Sequence, residues 1–544
     1  MPLRRWRSDS LKGPKARHFL NQLASRLNEQ AGELTLRFPW WRVFFIFGLL
    51  WALFFWPALH NAWWYADDFW AGEWTDAQRW GPFVLGNGRP LLGLWSYSFL
   101  LDHSPNAQWA NILLRWFQGG VHVLNATVLA GLLWSATRHW TAVLAVLPFL
   151  LWPFNADAVL WRGGSVYAIA ACLSLLGLHL IRRYDTKRDR IYWIAGSFLC
   201  GLSMLATQTS AFASVAVWIV LVGLAAIHPD PMPWRRLVRE GTFLAIGTIT
   251  GAAVSYGLIK THPIPMSLFA GRGDVAFDFH RALRVLGRID ALVIVFPVFY
   301  PWWLQLLHVL LIAGALFAII LFGWTEYKRA KAIWRPILVF FCLALCLVVP
   351  FSAQLIAVGQ DAVVLRTLYL APLLFSACTI FTFQFFRHRV WLERATMALL
   401  VLILVSYWPI CREHAAEYVK CYQADIADLR EVEQHAAELG LTRVIVVPGM
   451  PFWLYNPHHF KYTMACTHNS SLAYPWVRET FIRNCSSLRP VCQPKDMPLL
   501  VRGDVDFRSA ILQRALEQRK KLVITSKPQF QRIDGTDVMG IFLP

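Results

Sequence analysis

The feature that most constrains this chain is a succession of long apolar stretches between Val43 and Ile410, separated by short polar loops. A helix that crosses a bilayer needs roughly 20 mostly apolar residues. Spans of this kind are predicted at Val43–Leu59, Ala110–Ala136, Thr141–Pro153, Ser165–Ile181, Ile191–Leu205 and Ala211–Ile227. Further ones fall at Gly241–Ile259, Trp302–Gly323, Pro336–Pro350, Thr367–Phe386 and Ala395–Ile410. Composition agrees: 56% of the 544 residues are hydrophobic and only 16% charged, where soluble domains are about one-quarter charged. A single soluble globule, a disordered regulator and a collagen-like fibre are excluded. The 28 Trp and 37 Phe fit the aromatic belts at the two membrane surfaces. The chain reads as a polytopic α-helical membrane protein with about eleven transmembrane helices.

Charge sets the orientation. The chain carries 52 Lys and Arg against 33 Asp and Glu, a formal net charge of +19. In a membrane protein such a surplus marks cytoplasmic loops before it marks a nucleic-acid partner, and no nucleic acid is expected here. Four basic clusters stand out: Arg182 to Arg190, Arg235 to Arg239, Lys328 to Arg335, and Arg387 to Arg394. All four fall on the cytoplasmic side with the N-terminus only if Val285–Gly323 crosses once. Pro297 and Pro301 break that stretch, and Arg281–Tyr300 becomes an interfacial or re-entrant helix on the outer face. Residues 1–42, basic and without a long apolar stretch, form a cytoplasmic segment. Part of it is either an amphipathic helix on the leaflet or a short cytosolic helix. Residues 43–410 are the transmembrane domain.

Residues 411–544 lie outside and change character. Glu413–Leu439 is rich in Ala and Glu and reads as a helix, and Arg443–Pro448 reads as a buried strand. Asp506–Lys521 looks helical, while Leu522–Thr525 and Val538–Leu543 look like strands. The tail is therefore predicted to be a small extracytoplasmic α/β domain. Five of the ten cysteines, Cys411, Cys421, Cys466, Cys485 and Cys492, fall in it, where an oxidising compartment would let them pair. His458, His459, His468 and Cys466 match no standard zinc spacing and read as surface residues.

The first outer loop carries the densest chemistry. It opens Trp63-Trp-Tyr-Ala-Asp67-Asp68-Phe-Trp70, where the first span reaches the surface, and continues to Asn87-Gly88-Arg89-Pro90. Adjacent carboxylates at membrane depth are costly unless they serve a cation, a proton or an acceptor group. Their mutual repulsion raises one pKa, as a general base requires. The competing reading is an Asp pair that caps the following helix. Arg89 is placed to reach those carboxylates or a phosphate.

Asp67-Asp68-Phe-Trp70, followed by Trp80 and Gly88-Arg89-Pro90 in the first outer loop after an outward first span, resembles the GT-C superfamily of membrane glycosyltransferases. Within it the pattern looks most like the bacterial serotype-converting glucosyltransferases of the Gtr type, with polytopic arabinosyltransferases as a neighbouring possibility. The motif covers about thirty residues, and the topological likeness covers most of the membrane part. The resemblance implies an enzyme of the bacterial inner membrane, with a cytoplasmic N-terminus and a periplasmic C-terminal domain. It would take a hexosyl or pentosyl group from a polyprenyl-phosphate donor and pass it to a glycan, lipid or protein acceptor, in contact with membrane lipids. Asp67 and Asp68 would be the catalytic pair, holding or removing the acceptor proton. Whether either also holds a divalent cation, Mg or Mn, stays open.

Such a reaction needs cations at the departing phosphate, and arginine's planar fork suits that group. Arg366 and Arg162 stand at span ends on the outer side, followed in rank by Lys260 and His262. Arg272, Arg281, Arg284 and Arg288 belong to the third outer loop. The alternative for each arginine is a snorkelling headgroup anchor. Among the many tryptophans, Trp70 and Trp161 are the candidates for stacking on a sugar, against the general expectation of an interfacial belt. Two other readings compete. A transporter or flippase of lipid-linked sugars would place ionisable groups near the midplane and show internal repeats. An O-antigen ligase or polymerase would rely on outer-loop Arg and His rather than an Asp pair.

Overall fold

The computed structural model describes residues 38–61, 84–91, 108–153, 155–160, 165–183, 190–228, 232–262, 278–290, 301–328, 333–356, 368–387, 389–447, 481–482, 485–490, 510–524 and 528–542. Each apolar stretch picked out in the sequence contains a helix, although the helix of Thr367–Phe386 begins only at Leu373. In chain order these are α1 (Trp40–Leu59), α2 (Gln108–Thr137), α3 (Thr141–Leu151), the short α4 (Asn155–Val159), α5 (Ser165–Arg182) and α6 (Arg190–Ala206). They continue with the single turn α7 (Gln208–Ala211), α8 (Ala213–Ile227), α9 (Trp234–Thr261), α10 (Phe279–Asp290), α11 (Trp302–Lys328) and α12 (Trp334–Val348). The last are α13 (Ser352–Ile356), α14 (Leu373–Phe386) and α15 (Val390–Glu438). Seven helices are long and apolar enough to cross a membrane, and four more apolar helices, α3, α14, α6 and the Val166–Arg182 part of α5, are 10–17 residues long. Leu49, Ile320 and Val405 are 72%, 67% and 65% exposed on the bundle's flank. Water would penalise so broad an apolar surface; lipid does not.

α10 and α11 stand on either side of residues 291–300, which include Pro297 and lie outside the described residues, so the expected outer-face helix is described only as far as Asp290. α10 is a 12-residue amphipathic helix that buries Ala282, Val285 and Ile289, while α11 is one uninterrupted 27-residue helix. Asp278 caps α10: its carboxylate accepts from the backbone N–H of His280 (2.9 Å) and Arg281 (3.2 Å).

Basic residues from separate loops meet at one end of the bundle. Arg182 and Arg236 both donate to the buried Glu240 carboxylate, at 3.0 and 2.9 Å, and Arg236 also reaches the Arg182 carbonyl (3.1 Å). Trp234 packs against Trp334, with ring centroids 5.8 Å apart, and Arg335 donates to the His228 carbonyl (3.0 Å). Arg335, Arg387 and Arg389 line one cavity.

α15 is 49 residues long, about 74 Å at 1.5 Å per residue, well beyond a bilayer's hydrocarbon core. It runs on through position 411 without a break: the bundle core extends along it to Cys421, and the tail's own core begins at Leu429. Composition shifts near 411 because the exposed faces turn polar there, while the buried face continues. The tail sheet has β1 (Arg443–Val447), β2 (Arg489–Pro490), β3 (Gln529–Arg532) and β4 (Val538–Phe542) in the order β2-β1-β4-β3. β1 pairs parallel with β2 and β4, in register Arg443 with Val538 and Val447 with Phe542, while β3 pairs antiparallel with β4. Val444 and Val446 face the distal part of α15, whereas Ile445 and Val447 pack with Ala515 of α16 (Ala510–Lys520). Both faces of β1 are covered, which is why it reads as a continuous apolar run.

One expectation for the tail is corrected, and cysteine pairing is absent at the three described positions. Leu522–Ile524 is not a strand: Leu522 and Ile524 pack against the α16 side while Val523 is exposed, and the edge position beside β4 goes to Gln529–Arg532. Cys411, Cys421 and Cys485 are unbridged thiols; Cys466 and Cys492 lie outside the described residues. Burial, with the Asp425 charge adding to it, pushes the Cys485 thiol up to about 12. At the exposed starts of the central strands β1 and β4, Arg443 donates to both oxygens of Asp537 (2.8 and 3.0 Å), which holds that carboxyl below its ordinary value.

Candidate functional site

The site is built around the Asn87-Gly88-Arg89-Pro90 turn. Gly88 N–H donates to the Leu85 carbonyl (2.8 Å) and Arg89 N–H to that of Val84 (2.9 Å), closing a tight reversal. Gly88 sits at φ +65°, a left-handed conformation that costs glycine nothing. A side chain there would also run into the hydroxyl and carbonyl of Ser255.

Two distant helix ends hold this turn. Ser255, near the end of α9, donates its hydroxyl to the Gly88 carbonyl (3.0 Å). Gln208, at the start of α7, donates its amide nitrogen to Ser255 Oγ (2.7 Å) and to the carbonyls of Asn87 (3.2 Å) and Gly88 (3.3 Å). Its amide oxygen accepts from Arg89 Nε at 3.0 Å. Arg89 is thus oriented by a neutral amide, and no carboxylate pairs with it among the described residues. Its terminal nitrogens keep their charge available for an anion.

Lys260 and His262 lie at the same helix end. Ile259 packs under Gly88, and His262 caps α9 one turn further on. Lys260 extends along the ring of Tyr256, with Nζ 5.4 Å from its centroid. His262 Nδ1 is 2.9 Å from Thr261 Oγ1 and 3.3 Å from the Leu258 carbonyl. Of the residues singled out from the sequence, the structure therefore brings Arg89, Lys260 and His262 to one end of the bundle. Asp67, Asp68, Trp70, Trp161, Arg162 and Arg366 lie outside the described residues. Among the described residues no group of three or more His, Cys, Asp or Glu is placed to hold a metal ion.

A second polar feature was missed in the sequence. Arg115, Gln118, His122 and Asn125 fall at i, i+3, i+7 and i+10 on α2, one helical face, and all four are buried. Asn125 Nδ2 donates to Tyr369 Oη (2.9 Å) and to the Ala168 carbonyl (2.8 Å). His122 Nδ1 is 2.7 Å from Tyr369 Oη, and its Nε2 is 3.0 Å from the Leu150 carbonyl. The carbonyl can only accept, so the network puts the imidazole proton on Nε2 and makes Tyr369 the donor to Nδ1. Gln118, with its amide nitrogen turned toward α4 and the residue after it, reaches the carbonyls of Val159 (3.1 Å) and Leu160 (3.2 Å). The spacing of the four α2 residues was the available signal. Tyr369, more than 240 positions away in sequence, had none.

α10 contributes a third element: Arg281 is buried on its packed face, while Arg284 and Arg288 are exposed. α10 packs on α13, which also touches α7, so this basic helix belongs to the end of the bundle that holds Arg89. Comparison with family models, with curated proteins and with solved structures finds no match to this chain.

Proposed function

We propose that this protein is a membrane-embedded glycosyltransferase. It would move a single hexosyl or pentosyl group from a polyprenyl-phosphate donor to a glycan, lipid or protein acceptor, at the bundle end that carries Arg89. The observation that supports this reading best is the docking of the Arg89 turn onto Gln208 and Ser255, beside Lys260 and His262, 21 residues along the chain from Asp68. In the proposed reaction the acceptor hydroxyl oxygen bonds to the anomeric carbon as the bond from that carbon to the phosphate oxygen breaks. The polyprenyl phosphate leaves with the electron pair, and Asp67 or Asp68 receives the acceptor proton. Arg89, with Lys260 near it, would stabilise the charge that grows on the departing phosphate. Arg162, Arg366, Trp70, Trp161 and His262 complete the proposed donor and acceptor contacts. A divalent cation, if one takes part, would be held by Asp67 or Asp68. This face would be periplasmic, in a bacterial inner membrane.

The test is transfer from a labelled polyprenyl-phosphate sugar by the purified chain in liposomes. Asp67→Asn and Asp68→Asn are expected to cost at least about a hundredfold, the range of a general acid–base group. Arg89→Gln is expected to lower the rate while donor binding persists. Unchanged transfer in both Asp variants would overturn the assignment. The buried network of His122 and Asn125 on α2 with Tyr369 favours a second reading, a flippase of lipid-linked sugars. Movement of the intact lipid-linked sugar to the other leaflet, without consumption, would establish that reading instead.

A further inference from the structure

A cavity of about 410 Å³ opens at the end of the bundle opposite Arg89. The Gln208–Ile227 span links the two ends: Gln208 orients Arg89, and Ile227 lines the cavity, at the other end of these 20 residues. That distance is about 30 Å at helical rise. The cavity lies between α8, α11, α12 and the α14–α15 junction, and its lining divides into two chemistries. Leu321, Phe322 and Phe385 form an apolar wall, with the two phenyl centroids 5.0 Å apart. Among the described lining residues, Arg335, Arg387 and Arg389 supply three guanidinium groups and Glu326 the one carboxylate. Arg335 is anchored by its bond to the His228 carbonyl (3.0 Å). Arg387 and Arg389 are exposed, and no carboxylate pairs with either among the described residues.

Arginines spread over a surface serve orientation alone; three that converge on one walled cavity, with an excess of positive charge, form a receptor for an anion. Guanidinium forks match a phosphodiester in geometry. The apolar wall of Leu321, Phe322 and Phe385 adjoins the guanidinium groups, as a phospholipid's glycerol and first methylenes adjoin its phosphate. Basic pockets between membrane helices take anionic headgroups for these reasons, and the volume is in the range of small-ligand sites. The buried Glu326 adds an acceptor that a headgroup hydroxyl would satisfy and that a second phosphate would not. We infer that this cavity binds an anionic phospholipid of the phosphatidylglycerol class, drawn from the leaflet at this end of the bundle.

The experiment follows lipid retention on the purified full chain by native mass spectrometry, after exchange into phosphatidylglycerol or phosphatidylcholine. Phosphatidylglycerol is expected to be retained and phosphatidylcholine lost. Arg387→Gln with Arg389→Gln is expected to weaken retention about thirtyfold, given the contribution of two cations at an anionic leaflet. Leu321→Trp fills the cavity without changing charge and is expected to weaken it comparably, so the outcome does not depend on how the arginine variant inserts. Equal retention of the two lipids, or full retention in inserted Leu321→Trp, would overturn the proposal. Displacement of the lipid by excess inorganic phosphate would also overturn it, in favour of a soluble anion. Because binding is read without any sugar transfer, the result is independent of the proposed activity.

Discussion

Tyr369 shows at the residue scale how a single hydroxyl stabilises a membrane interior. It donates to His122 Nδ1 and accepts from Asn125, so one atom satisfies two buried side chains on α2. Removing it leaves an imidazole nitrogen and an amide without that partner, with no water to replace it. Tyr369→Phe is expected to lower stability by about 1–2 kcal/mol, the upper part of the range for hydrogen bonds between membrane helices. Unfolding in mixed micelles measures this, and a cycle with His122→Phe should show strong non-additivity. Additive losses would mean that the hydroxyl and the imidazole act independently. Arg89 illustrates the limit of sequence reading at this scale. Its charge in the segment after α1 is visible in the sequence, but its partner Gln208 is a neutral residue beside a helix break and carries no signal of its own.

Among the elements, the packing of α6 against α9 depends on two small residues. A Cβ at Gly247 would strike the Ser197 carbonyl, and one at Gly251 would strike that of Gly201. Close approach of this kind drives helix association in lipid, where no hydrophobic effect separates one helix from another. Gly251→Leu is expected to cost about 1–3 kcal/mol through forced separation. Gly257→Ala, on the same helix with no atom within 4 Å of the added carbon, is expected to be neutral or slightly stabilising. Similar losses in both variants would show that the contact matters less than the glycine. The Gly-x-x-x-Gly spacing was present in the sequence, but which helix it faced was not. α10 and α15 show the same division. Two prolines announced a break before Trp302, whereas nothing announced that α15 would carry the bundle core on to Cys421 and then build the tail core with its next turns.

For the whole molecule, the two ends of the bundle differ in kind. One gathers arginines from loops spread over two hundred residues, and the other gathers Arg89, Gln208, Ser255 and the α9 terminus. If the arginine-rich end is cytoplasmic, as the positive-inside tendency requires, alkaline phosphatase fused after the tail will be active in a bacterial host. Fusion to the loop after α5 will be inactive. The reverse pattern would move the Arg89 end, and with it the proposed chemistry, to the cytoplasm.

Apolar length, loop charge and short apolar strand runs are properties of neighbouring residues, and each adds along the chain. The apolar helices, the charge asymmetry and the outline of the α/β tail are therefore legible from sequence, as seven helices long and apolar enough to cross a membrane among the described residues bear out for the first. Contacts between segments are not local. Arg89 meets Gln208 across 119 positions, and His122 meets Tyr369 across 247. Only the tertiary structure decided these, because a buried polar atom takes its partner from whichever helix the packing of small and large side chains brings beside it.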